Sequence, residues 1–399
     1  PTKVPLLDQM GKPWYLPGMA AHDEPPPGDP ATMRAALDAA IGPAVGRGDV
    51  PGAVAVAGTA DAACAPVAYG VRRLGGPAMT PDVRFDLASL SKVVGTLPGL
   101  LRLAGDGRLD LDAPLATWFP SAGWFREPSL ADRTPRQLLT HTSGLPAWAP
   151  FMGFASHRRT VIGHALASEL PHAGGPAGPR VVYSDLGLIV AGALIERVSG
   201  QRQDAFLRQA TFGPLGLAND ELGYRPLPGP DEPAPPAVPL AASEDCGWRM
   251  RLLEGEVHDE AAWIMGGVAG HAGLFGTAEA LARYAQAWLR RDARLAPPEL
   301  LDEAVRRATP AGQAARGLGW LLAPDRGEGP AEPDDWRPAR GFGHTGFTGT
   351  SLWIDPDAGT FCVLLTNAVH PSRHRRGALP ALRRAVHAAV FAMPDGAAA

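Results

Sequence analysis

Strand-like segments stand at both ends of this 399-residue chain, and helical segments fill its middle. A helical pattern over 31–45 precedes two strand-like runs, 53–57 and 66–71. Four short β-rich runs follow residue 316, and a helical pattern over 377–391 closes the series. Because sheets and helices bury their apolar faces in shared layers, this order predicts an α/β (α+β) fold. Its sheet is built from both termini, and a helical domain is inserted between them.

The same order predicts the domain organisation. Residues 1–30 are rich in proline and glycine, which favours an extended arm. We assign 31–88 together with 260–399 to the sheet domain and 89–259 to a mainly helical domain. The active site is expected in the cleft between the two domains.

Composition excludes several classes of function. A net charge of -4 gives no basic surface for nucleic acid, and no apolar run approaches the roughly 20 residues of a membrane helix. The three cysteines, Cys64, Cys246 and Cys362, lie far apart without CxxC spacing, so we expect neither a disulfide framework nor a zinc site.

The start of the chain lacks a basic-then-apolar pattern. A cytoplasmic location is therefore expected, with a periplasmic or secreted one if a signal was removed.

The sequence SLSK over 89–92 is the first motif that carries chemistry. At the start of a helix, Ser89 and Lys92 fall on one face within reach of each other. A serine hydroxyl needs a base to become a nucleophile, and lysine serves if burial lowers its pKa. Of 37 basic residues only three are lysines, and Lys92 is the only one after residue 12. The alternatives are a capped helix with a surface lysine, or Ser91 as nucleophile, although Ser91 faces another way.

Two further motifs complete the set. Tyr183 ends an extended segment before a helix, where a phenol can pass a proton to a leaving group. Alternatively it is an aromatic anchor for the helix start. In the run GHTGF over 343–347, a glycine on an edge strand lets substrate approach. The backbone N–H of Phe347 would form an oxyanion hole with that of Ser89. The alternative there is a glycine-rich turn.

The series SLSK, YSD and HTG resembles, in order and spread, the signature of the β-lactamase and penicillin-binding-protein superfamily of serine hydrolases. It is most similar to the class C variant, in the branch of family VIII carboxylesterases and D-aminopeptidases. Further phrases similar to that superfamily lie at 85–88, 134–145, 270–275 and 346–350. The resemblance implies an antiparallel sheet flanked by helices and an acyl-enzyme on Ser89. It also implies that Lys92 is the base and Tyr183 the proton shuttle.

Two positions depart from the pattern of the superfamily. Asp185 stands where the family usually has an asparagine, and an ionised carboxylate cannot donate to a substrate carbonyl. Asp185 would instead pair with Lys92. His344 stands where the family has a lysine that attracts the carboxylate of a lactam, and a neutral imidazole gives at most one donor. Thr345, Gly346 and Trp148 are also assigned to substrate binding.

These departures favour a carboxylesterase for small or short-chain esters, with weak or absent β-lactamase activity. The alternatives are a β-lactamase, D-amino-acid peptidase or penicillin-binding protein, and a sensor of lactams or peptidoglycan without turnover. The expected partner is a small ester, lactam or peptide. An apolar acyl pocket would be lined by Trp148, Phe151, Trp263 and Phe347, unless these are ordinary core aromatics.

No cofactor is expected. His258, Asp259, Glu260 and His271 offer metal-binding side chains, but no HExxH spacing exists, and hydrogen-bonded structural histidines are the more common case. We therefore predict no metal site. The chain also lacks the G-x-S-x-G of an α/β-hydrolase elbow.

Overall fold

A computed structural model describes residues 28–119, 125, 130–173, 180–227, 238–323, 337–338 and 340–391. Nearly all of the arm predicted over 1–30 lies outside the described residues. Among the residues described, no helix is both long and apolar enough to cross a membrane.

The helices are α1 (Pro30–Gly46), α2 (Leu97–Gly105), α3 (Pro135–Leu139), α4 (Arg158–Leu166), α5 (Asp185–Ser199), α6 (Gln203–Leu207), α7 (Glu260–Ile264), α8 (Ala278–Leu289), α9 (Pro298–Ala304) and α10 (Leu379–Phe391). The strands are β1 (Gly52–Thr59), β2 (Val67–Gly70), β3 (Phe85–Asp86), β4 (Leu222–Tyr224), β5 (Ala242–Cys246), β6 (Arg251–Glu254), β7 (Leu274–Gly276), β8 (Leu321–Leu322), β9 (Phe342–Thr345), β10 (Ser351–Asp355) and β11 (Thr360–Thr366).

The main sheet joins strands from both ends of the chain in the order β2-β1-β11-β10-β9-β8, and every pair is antiparallel. Ala53 of β1 pairs with Thr366 of β11 at one end of their shared ladder. Helices α1, α8 and α10 pack on this sheet. The central strands are buried along almost their whole length, as expected for a sheet covered by helices. The predicted fold class is thus confirmed.

Local chemistry explains several helix boundaries. Thr134 and Gln137 form a capping box at the start of α3. The Ser184 hydroxyl caps α5, which ends at Gly200 with a left-handed φ of 75°. Thr277 caps α8 in the same way. Each cap supplies a hydrogen-bond acceptor to an otherwise unpaired N–H group.

Two segments differ from the prediction. The helix expected from Ser89 contains a π-helical turn, Lys92–Thr96, before α2 begins. The strand expected over 317–322 is reduced to the two residues of β8, because the Gly317 N–H bonds back to the Trp320 carbonyl in a tight turn. Two smaller sheets stand apart from the main one: β3-β7-β4, which leads to Ser89, and the hairpin β5-β6.

Candidate active site

Ser89 lies in a turn between β3 and the π-helical turn, and its hydroxyl meets the side chain of Lys92. The Lys92 Nζ donates to Ser89 Oγ at 2.8 Å. The preceding residue, Ala88, has a φ of 47°, a left-handed conformation that is unfavourable for a residue with a Cβ. Its N–H donates to Asp86 Oδ1 at 2.8 Å, which holds the turn in place. The competing serine, Ser91, accepts the Leu274 N–H and is buried.

Lys92 is 1% exposed and pairs with a carboxylate. Its Nζ lies 2.8 Å from Asp185 Oδ1 and donates to the His271 carbonyl at 3.1 Å. Burial by itself lowers the pKa of Lys92, but the Asp185 carboxylate and the nearby Tyr183 oxygen outweigh it and raise the pKa above its usual value. The pairing with Asp185 is as expected, whereas the expectation of a lowered lysine pKa is wrong. This direction favours the protonated form of Lys92.

Tyr183 lies among cations and rings. Its ring centroid is 5.0 Å from Lys92 Nζ and 5.2 Å from Arg316 Cζ, and the His141 ring stands 4.7 Å away. His141 holds the segment in place, because its Nδ1 accepts the Ser184 N–H at 3.0 Å and its carbonyl accepts the N–H of residue 182. Burial, with help from Arg316 and Lys92, lowers the pKa of His141 far below its usual value. The neutral ring can therefore act as that acceptor.

His344, at the end of β9, is buried beside the same group. Its Nδ1 donates to the Thr345 carbonyl at 2.8 Å, and its ring lies 5.9 Å from that of Tyr183. Burial first, and then the charges of Lys92 and Arg316, lower the pKa of His344 to about 3. The imidazole is thus neutral at physiological pH.

Gly346 follows in a tight turn. A Cβ at this position would lie 2.1 Å from Thr350 Oγ1 and 2.6 Å from the Leu87 carbonyl oxygen, so the close approach requires glycine. The next residue, Phe347, is 41% exposed. The turn therefore lies against the segment that precedes Ser89.

The predicted aromatic lining is divided between two places. Trp148, which is 62% exposed, and Phe151 border a small cavity of about 60 Å³ together with Asp185 and His271. Trp263 instead packs edge-on against Trp248, with ring centroids 5.4 Å apart.

The predicted metal candidates form separate pairs. His258 Nε2 lies 3.0 Å from Glu244 Oε2, and His271 Nε2 lies 2.8 Å from Asp259 Oδ1. No three metal-ligating side chains converge anywhere in the described part of the chain.

Sequence reasoning missed Arg316. It is 9% exposed, and its Nε and Nη1 have no hydrogen-bond partner among the described residues. Nothing in the pattern around it distinguishes it from the many other arginines. Asp86 and His141 were also assigned no role, although both lie in phrases that resemble the superfamily.

A sequence model of the Beta-lactamase family matches residues 37–387, which is most of the chain. The chain belongs to the beta-lactamase family. It is 29% identical over 328 residues to a Bacillus subtilis N-acetylmuramyl-L-alanine amidase, covering 73% of this chain and 69% of that protein. It is 27% identical over 318 residues to a putative D-alanyl-D-alanine carboxypeptidase of Salmonella typhimurium, covering 73% and 71%.

Solved structures share the fold of this beta-lactamase-family chain. EstCE1, a hydrolase with promiscuous acyltransferase activity, is 17% identical with a TM-score of 0.71, covering 90% of this chain and 99% of EstCE1. A mutant of simvastatin synthase (LovD) from Aspergillus terreus is 21% identical with a TM-score of 0.67, covering 91% and 97%. The predicted superfamily and enzyme class, a serine hydrolase, are confirmed.

Proposed function

We propose that this serine hydrolase is a carboxylesterase that works through an acyl-enzyme on Ser89. The observation that carries the proposal is the 2.8 Å hydrogen bond from the buried Lys92 Nζ to the half-buried Ser89 Oγ, beside Tyr183. A serine held by a charged donor beside a phenol has both an orienting group and a route for its proton.

Because the Asp185 carboxylate favours the charged form of Lys92, we assign proton transfer to Tyr183. As Ser89 Oγ attacks the ester carbonyl, the phenol takes the serine proton and gives its own proton to the leaving alkoxide oxygen. The net transfer is from Ser89 to the alcohol that departs, and the Ser89 acyl ester remains. Water then adds to that ester by the reverse route and releases the acid. In each relay the phenol proton begins to leave before the new proton arrives, and the charges of Lys92 and Arg316 offset the partial negative charge left on the phenol oxygen in between.

The oxyanion formed in each half-reaction needs donors at a fixed place. We assign this role to the backbone N–H groups of Ser89 and Phe347. The proposal is supported by the hydrogen bonds from the Thr348 and Thr350 hydroxyls to the carbonyls of residues 86 and 87, which fasten the second turn to the first. Donors in fixed positions stabilise a developing oxyanion without reorganisation during the reaction.

The preference for esters rests on His344. A neutral imidazole stands where the family has the lysine that attracts the carboxylate of a lactam. A lactam therefore loses a binding partner here, whereas a neutral ester, which has no carboxylate, does not. Arg316 favours a second candidate, a hydrolase for substrates that end in a carboxylate, such as D-peptides. Its buried guanidinium lies beside Tyr183, and its Nε and Nη1 have no hydrogen-bond partner among the described residues. A relative is named as a putative D-alanyl-D-alanine carboxypeptidase.

The test is a side-by-side assay of p-nitrophenyl butyrate, nitrocefin and an acyl-D-alanyl-D-alanine peptide, with Ser89→Ala as control. We expect ester turnover to exceed lactam and peptide turnover by at least about tenfold in kcat/KM. Peptide or lactam turnover faster than ester turnover would favour the second candidate over the esterase. An acyl adduct that persists in intact-mass spectra without turnover would instead indicate a sensor. Full activity in Ser89→Ala would reject the mechanism itself.

A further inference from the structure

We infer that His258 is a positioning residue that fixes the distance between the two halves of the oxyanion hole. The inference rests on the proposed function, because it takes the N–H groups of Ser89 and Phe347 as the donors. His258 belongs to neither half in sequence, and it touches both through different atoms. Three sets of contacts carry the inference.

The backbone of His258 is tied to the Ser89 turn. Its N–H donates to Asp86 Oδ2 at 2.6 Å, and the other oxygen of the same carboxylate accepts the Ala88 N–H. Asp86 is buried, so both hydrogen bonds are shielded from water. The carboxylate therefore bridges His258 to the residue next to the nucleophile, and it does so at the position with the unfavourable φ.

The ring of His258 is tied to the second half. It stacks on the ring of Phe347, with centroids 5.5 Å apart and planes 28° from parallel. The same phenyl ring meets Arg376, whose Cζ is 3.6 Å from the ring centroid. Arg376 Nη1 also donates to the Phe347 carbonyl at 3.2 Å. The side chain and carbonyl of Phe347 are thus both held, and the Gly346 carbonyl, which shares a peptide plane with the Phe347 N–H, accepts Arg383 Nη2 at 2.6 Å.

Glu244 prevents the imidazole from turning. The Oε2 atom of this buried side chain lies 3.0 Å from His258 Nε2, and Arg373 holds the carboxylate from the other side with Nη2 to Oε2 at 2.7 Å. Glu244 lies on β5, in the hairpin outside the main sheet. The hairpin therefore reaches His258 through the Glu244 carboxylate at its imidazole and through Arg249 Nη2, which donates to its carbonyl at 3.1 Å.

The experiment compares His258→Ala with His258→Phe, which keeps a flat ring for Phe347 while losing the contact with Glu244. Steady-state ester hydrolysis gives kcat and KM, and a boronic acid inhibitor reports how well a tetrahedral adduct is held. In His258→Ala we expect kcat to fall by about 10- to 100-fold with KM within about twofold, and boronate affinity to fall in parallel. His258→Phe should recover part of the loss. His157→Ala, which removes an exposed histidine that caps α4, is the matched control and should keep kcat.

Unchanged kcat in a folded His258→Ala protein overturns the inference. The inference is also overturned if both variants lose kcat only in proportion to a loss of folding stability measured without inhibitor. If His258→Ala does not fold, Phe347→Leu removes the stack from the other side and should show the same selective loss of kcat and boronate affinity. A Phe347→Leu protein with normal values of both also overturns it. Failure of the proposed function is recognised separately, because the wild type would then turn over lactam or peptide faster than ester, or Ser89→Ala would retain ester hydrolysis.

Discussion

The Asp185 carboxylate lies 2.8 Å from the Lys92 ammonium. The positive charge of the lysine that touches Ser89 is therefore balanced by a carboxylate from the YSD motif. An asparagine at position 185 would remove the charge that most strongly offsets the effect of burial on Lys92. The raised pKa of Lys92 favours its protonated form, so we propose that this lysine acts on Ser89 as a charged donor rather than as a base.

Asp185→Asn should therefore move the alkaline limb of the activity profile. A group with a raised pKa keeps its proton to higher pH, so removing the carboxylate makes Lys92 lose its proton at lower pH. We expect kcat/KM for a neutral ester to begin falling at least about one pH unit earlier than in the wild type. Asp302→Asn, which alters a surface ion pair with Arg291, is the control and should leave the limb in place.

Arg316→Gln should separate charged from neutral substrates. Because two guanidinium nitrogens beside Tyr183 have no hydrogen-bond partner in the described part of the chain, we expect Arg316 to hold a substrate carboxylate. With an acyl-D-lactate ester, KM should rise about 10-fold or more, whereas the methyl ester of the same compound should change by less than about threefold. Equal changes for the two substrates would show that Arg316 serves the structure of Tyr183 rather than recognition.

Gly346→Ala should distort the tight turn that precedes Phe347, whose N–H is the second proposed oxyanion donor. The added methyl group would meet Thr350 Oγ1 and the Leu87 carbonyl at distances that real contacts do not reach. We expect about 1–3 kcal/mol of destabilisation and a fall in kcat of at least about tenfold, measured by urea unfolding and ester hydrolysis. Gly46→Ala, at the end of α1 with open space around its Cβ, should change neither. A fully active Gly346→Ala enzyme would show that the turn is not part of the catalytic geometry.

His387→Gln should reduce the sensitivity of the fold to acid. His387 is buried against Ser351, and burial, aided by Arg383, lowers its pKa from 6.5 to about 3. The unfolded chain therefore binds this proton first as the pH falls below 6.5, and stability is lost progressively toward the folded pKa. Each such histidine contributes about 1.4 kcal/mol per pH unit in that window.

Glutamine keeps a hydrogen-bonding group for Ser351 but does not titrate. We expect the free energy of unfolding of His387→Gln to fall less steeply with acidification than that of the wild type, measured by urea titration at about pH 7, 6 and 5. His374→Gln, on an exposed turn, should keep the wild-type slope. Parallel slopes for the wild type and His387→Gln would mean that another group drives acid unfolding.

The parts that the sequence could predict are those whose chemistry is local. The caps at Ser184 and Thr277 depend on a side chain and an N–H group three residues away, so composition and position suffice. The order of strands and helices likewise indicated one sheet from both ends of the chain, and the three motifs indicated Ser89, Lys92 and Tyr183 as neighbours.

What could not be predicted depends on distances across the fold. The charge of Lys92 follows from the position of Asp185 relative to it, since burial and the carboxylate act in opposite directions. Arg316 is of interest because its Nε and Nη1 have no hydrogen-bond partner among the described residues. No local sequence pattern encodes that property. The short β8 reflects a bond from Gly317 back to the Trp320 carbonyl, which competes with strand pairing.

The position of β1 has a consequence for biosynthesis. This strand lies inside the main sheet, yet its neighbour β11 follows it by roughly 300 residues, a separation that slows folding because so long a loop must close first. On the ribosome, β1 and β2 emerge with one open edge of unpaired N–H and carbonyl groups, the kind of edge that invites aggregation. A nascent chain arrested before Thr360 already carries Ser89, Lys92 and Tyr183, but we expect it to be inert and dependent on chaperones until β11 has left the exit tunnel.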